Sequence, residues 1–162
     1  MVETGAVLLA GIVAMLFQTT VFPALPLPVV PDLILVLTVY LAVRHQGLAG
    51  AAGAFCLGYF LDAFSGVVLG VHAFAMTAVY AAVYLVARHL WTEGGFPIMA
   101  MAFVGGWVGV VARAVASSLV ETPAGVWQHV LGYGVWEALA AAVVAPAVFA
   151  FVGWERRLFG VT

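Results

Sequence analysis

Three long stretches of this chain are almost free of charge. Between Leu48 and Ala87 the only charged residue is Asp62, between Phe96 and Val120 it is Arg113, and between Thr122 and Trp154 it is Glu137. Runs of this length and apolarity cannot be covered with polar side chains in water. Across the 162 residues, 66% are hydrophobic and 7% are charged, against about 25% charged in a soluble domain. A soluble enzyme is excluded. Disorder is excluded as well, because it needs low hydrophobicity. A net charge of -2 excludes a basic nucleic-acid binder. What remains is an all-α polytopic membrane protein, since helices satisfy every backbone group internally. At about 20 residues per span, six spans take about 120 residues. The rest suffices only for loops and tails, so residues 1–162 read as a single integral membrane domain.

Apolar runs between charges, prolines and polar clusters place the spans at about 6–22, 31–43, 48–64, 67–90, 97–120 and 130–152. The first ends in an extended stretch holding Pro23, Pro26, Pro28 and Pro31. With Glu3 and no Lys or Arg before it, this run is read as a retained span, not a cleaved signal. The second span is short, about 20 Å long. Pro97 falls in the first turn of the fifth, where proline is tolerated. Trp91, Trp127 and Trp154 lie near span ends and suit the headgroup layer.

Charge gives the orientation. Arg44 and His45 follow the second span, Arg88 and His89 close the fourth, and Arg156 and Arg157 follow the sixth. Six spans put all of these on one side with the N-terminus. The other side receives Asp32, Asp62 and Glu121. The positive-inside rule then places both termini in the cytoplasm. Cys56 has no second cysteine to pair with and reads as a small packing residue.

Arg113 and Glu137 are the charges set deep within spans. Burying a charge there costs roughly 2.5–3.5 kcal/mol. Each lies about 10 Å from the outer end of its span, and the two spans are antiparallel neighbours. The spacing therefore predicts an intramembrane ion pair. Gly105, Gly109, Arg113 and Ser117 share one face of the fifth span, and Gly105 and Gly109 form a GxxxG step that admits close helix approach. Gly134 lies on a small-residue surface of the sixth span, and Gly47, Gly50, Ala54 and Gly58 on one of the third. These faces predict either a compact bundle or a seat for a partner helix. Asp32 reads as an N-cap, Asp62 as a cap for the turn at Ser65 and Gly66, and His72 as an interfacial hydrogen bonder. With Arg113 and Glu137 they mark the outer half and raise the alternative of an outward polar cavity. No metal-ligand spacing, Walker loop, HExxH or Ser-His-Asp arrangement is present. Neither catalysis nor a cofactor is expected.

A family resemblance rests on three short motifs. Pro31-Asp32-Leu33 opens the second span, Gly58-Tyr59-Phe60-Leu61-Asp62 ends the third, and Leu69-Gly70-Val71-His72-Ala73 starts the fourth. In order, spacing and total length this resembles the MreD rod-shape-determining family. The resemblance implies a non-catalytic component of the bacterial inner (cytoplasmic) membrane. Its expected partners are an MreC-like single-span scaffold, a RodA-type glycosyltransferase, a penicillin-binding transpeptidase and membrane lipid. The implied role is to help position and regulate peptidoglycan synthesis and cell shape. The implied fold is a compact six-helix bundle similar to the substrate-binding subunits of energy-coupling-factor transporters. That likeness sustains an alternative, a vitamin-like small-molecule binding subunit of a transporter.

Overall fold

The computed structural model describes residues 11, 13–15, 20, 32–65, 69–89, 94–120 and 126–158, without the side chains of 120, 126–131 and 155–158. Pro31, Gly66, Trp91 and Glu121 lie outside the described residues, as do most of the first span and its proline stretch. Among the described residues every regular element is a helix: α1 (Leu33–Arg44), α2 (Leu48–Ser65), α3 (Val71–Ala87), α4 (Gly95–Val120) and α5 (Val126–Leu158). Helical backbone is also present at 11, 13–15 and 20.

α1 is the axis of the bundle. It touches α2, α3, α4 and α5, and every residue from Leu33 to Val43 is buried. Its sequence, LILVLTVYLAV, has no polar face to turn outward, as a helix surrounded by protein requires. Its aliphatic hydroxyl, on Thr38, bonds back to the Ile34 carbonyl at 2.9 Å and lies 3.5 Å from Met76 Sδ. At 12 residues α1 is about 18 Å long, well short of a hydrocarbon core of about 30 Å. Among the described residues three helices are long and apolar enough to cross a membrane, over Leu48–Ser65, Gly95–Leu119 and Gly132–Trp154; α1 and α3 are shorter apolar helices.

The helix limits follow from local chemistry. Asp32 Oδ1 accepts from the amides of Ile34 at 3.1 Å and Leu35 at 3.0 Å, so α1 starts one residue after it. Gly47, Gly70 and Gly94 have φ of +116°, +104° and +115°, conformations that favour glycine, and they break the chain between successive helices. Pro97 sits in the first turn of α4, where its missing N–H has no intrahelical partner to lose. Pro146 lies inside α5 and removes one bond from its ladder.

The glycine faces are taken up within the chain. A Cβ on Gly105 would lie 2.8 Å from Val39 Cγ2 and 3.2 Å from Val83 Cγ2, and one on Gly109 would lie 2.8 Å from Leu35 Cδ1. That face of α4 is therefore seated over α1 and α3. Gly106, which is off this stripe, is 2.8 Å by the same measure from Ala138 Cα, so the backbones of α4 and α5 nearly touch. Gly134 is filled by Val110 and Trp107 of α4. Gly50 makes room for the Tyr80 hydroxyl, which contacts the backbone of His45 and Gly47 and clamps the α1–α2 turn onto α3.

Candidate functional site

Asp32, Asp62, His72, Arg113 and Glu137 collect in two centres. In the first, the Gly58, Asp62 and Gly70 positions of the sequence motifs form one structural unit. α2 and α3 meet so closely at Gly58 that a Cβ there would lie 2.5 Å from the His72 carbonyl oxygen and 2.6 Å from Ala73 Cα. One turn further along α2, Asp62 faces the opening turn of α3. Gly70 is the N-cap of α3 and offers no side chain to cap it. The Asp62 carboxylate does so instead. It accepts from the amides of Gly70 at 2.9 Å, His72 at 2.9 Å and Ala73 at 3.0 Å. His72 Nδ1 adds a contact at 2.9 Å to the same carboxylate. Asp62 is only 1% exposed. A negative charge at the positive end of a helix, held by three amides, is favourable even in an apolar surrounding.

The second centre is built on Arg113 of α4. Its Nη2 donates to Glu137 Oε2 at 2.9 Å, and its Nη1 faces Asp32 Oδ2 at 3.5 Å. The three side chains are 22%, 29% and 23% exposed. Asp32 thus works on two fronts, capping α1 with one oxygen and facing the guanidinium with the other. The central helix is tied in this way to both α4 and α5. The structure places Asp32 with Arg113 and Glu137, and Asp62 with His72, so these five polar residues are divided between two sites. Tyr80 was invisible in the sequence as a polar contributor; its one signal is a tyrosine in an otherwise apolar run. Among the described residues no group of three or more His, Cys, Asp or Glu is arranged to hold a metal ion.

The motif residues that build the first centre are those on which the family resemblance rests. Over residues 3–153 the chain matches the family model of the rod shape-determining protein MreD. The chain belongs to the MreD family. Among curated proteins and among solved structures none matches it significantly; the expected likeness to energy-coupling-factor subunits therefore has no solved structure behind it. The MreD assignment makes this a rod-shape-determining membrane protein. In the structure the Gly58–Asp62–Gly70 unit combines a close approach, a borrowed cap and a left-handed turn.

Proposed function

We propose that the chain is a non-catalytic, six-span protein of the bacterial inner membrane with both termini in the cytoplasm. It holds the transmembrane helix of an MreC-like scaffold. Through that scaffold it helps position peptidoglycan synthesis by a RodA-type glycosyltransferase and a penicillin-binding transpeptidase. The observation that carries this reading is the commitment of the motif and ion-pair residues to internal structure. Asp62 spends its carboxylate on the α3 amides and His72, and Arg113 spends its guanidinium on two carboxylates. Such a chain is a platform rather than a reaction site. Segregation of Arg44, Arg88, Arg156 and Arg157 from Asp32, Asp62 and Glu121 supports the orientation.

Because the glycine faces are filled from within, the partner helix docks elsewhere. α2 turns Phe55, Tyr59, Phe60 and Phe64 outward, each about half exposed or more, and the first two rings stack at 6.4 Å. This ridge is the surface assigned to the scaffold helix. Tagged protein is expected to recover an MreC-like partner from membranes, and the Phe55→Ala, Tyr59→Ala double variant to recover much less. Phe103→Ala on α4 is expected to leave recovery unchanged. Tight binding of a vitamin with no scaffold recovered would instead establish the transporter-subunit reading and end this one.

A further inference from the structure

At the opposite end of the bundle from the two polar centres lies a cavity of ≈ 370 Å³ whose lining includes Tyr40, Arg44, Ile98, Pro146, Phe149 and Gly153. It sits where the last turn of α1, the first turn of α4 and the end of α5 converge. Its floor is apolar: Tyr40 and Phe149 meet edge to face at 5.0 Å. Its one charged lining residue is Arg44, which is exposed and has no carboxylate within ion-pair distance among the described residues. Arg156 and Arg157 lie in the last turn of α5, just beyond Gly153, and Arg88 caps α3 at the same end. The acids that the sequence places near this end are Glu3, Glu93 and Glu155, fewer than its arginines.

We propose that this cavity binds an anionic phospholipid, with its phosphate on Arg44 and the start of one acyl chain against Ile98, Pro146 and Phe149. The two halves of the site call for an amphiphile. A free anion would make no use of the apolar walls, and a neutral lipid would leave the guanidinium unmatched. Basic pockets between helices on the cytoplasmic side are suited to such headgroups. The site is separate from the α2 ridge assigned to the scaffold, so failure here leaves the docking test untouched.

Two residues allow a clean test. A Cβ on Gly153 meets nothing within 4 Å, so Gly153→Phe brings a large side chain to the cavity lining without a clash at its Cβ. Arg44→Gln removes the charge and keeps a polar side chain. The purified full chain is delipidated in mild detergent and titrated with phosphatidylglycerol, phosphatidylcholine of the same acyl chains, or inorganic phosphate. Bound lipid is counted by native mass spectrometry, and the melting temperature is followed in parallel. Phosphatidylglycerol is expected to bind and raise the melting temperature, with phosphatidylcholine and phosphate giving little of either. Arg44→Gln is expected to weaken phosphatidylglycerol about fivefold, Gly153→Phe to abolish its binding, and Arg88→Gln to change nothing. Equal binding of the two lipids, a Gly153→Phe variant that binds like wild type, an equal loss in Arg88→Gln, or the full effect from phosphate alone would each overturn the assignment.

Discussion

Asp62 and Arg113 both carry charge into an apolar bundle, and each is stabilised in a different way. Asp62 is sealed and draws its donors from backbone amides only eight to eleven residues away. Arg113 is partly exposed and relies on side chains 24 and 81 residues away. The amides at a helix start are fixed by the helix itself, so the Asp62 centre is rigid as soon as α2 and α3 meet. The Arg113 centre depends on three side chains brought together from α4, α5 and the start of α1. A charge satisfied by backbone is therefore a structural part, and a charge satisfied by other charges is an adjustable one.

The comparison can be broken most forcefully at Gly58. A Cβ there collides with backbone atoms of His72 and Ala73, which cannot rotate away. Gly58→Ala is expected to separate α2 from α3 and cost about 3 kcal/mol or more; a wild-type unfolding midpoint in detergent would show that the close approach is dispensable. Next comes Asp62→Ala, which strands three amides at the start of α3 and is expected to cost about 3 kcal/mol. Hydrogen exchange should rise at Gly70, His72 and Ala73 while α4 and α5 stay protected. Uniform loss of protection would mean that the carboxylate is not a local cap.

Arg113→Ala is expected to cost less, about 1–2 kcal/mol, since the cluster is partly solvated. Much of that cost is the stranded carboxylate, so adding Glu137→Gln should recover part of it. If the double variant is no more stable than Arg113→Ala, the charge pair is not what holds α4 to α5. The smallest effect is expected from Tyr80→Phe, about 1 kcal/mol for the lost bonds to the α1–α2 turn, read as faster exchange at the Gly47 amide alone.

How far these features could be read in advance depended on their range. Arg113 and Glu137 could be paired because antiparallel neighbours joined by a short loop must match in depth. Asp32 could be read as a cap, because capping is local. Its second contact, with Arg113, depends on α1 lying at the centre of the bundle, which no local pattern encodes. Asp62 could be assigned to the α2–α3 turn, but its amides lie beyond that turn and are reached only through the Gly58 approach. The glycine stripes announced close packing without saying whether the neighbour is this chain or another. Gly106 escaped notice because its neighbour Ala138 belongs to a different helix pair from the one the Gly105–Gly109 stripe serves.

The sealed position of α1 bears on the order in which the protein can be made. Among the described residues, the four helices α2 to α5 that pack around it are all encoded after it. While the chain is still being synthesised, α1 is a short apolar segment that lacks these four neighbours. Its surroundings are complete only once α5, the last helix, has emerged and docked. The middle of this protein is thus among its earliest parts to be translated and the last to be enclosed. A truncation that removes α5 should therefore unsettle the centre of the bundle as much as its edge.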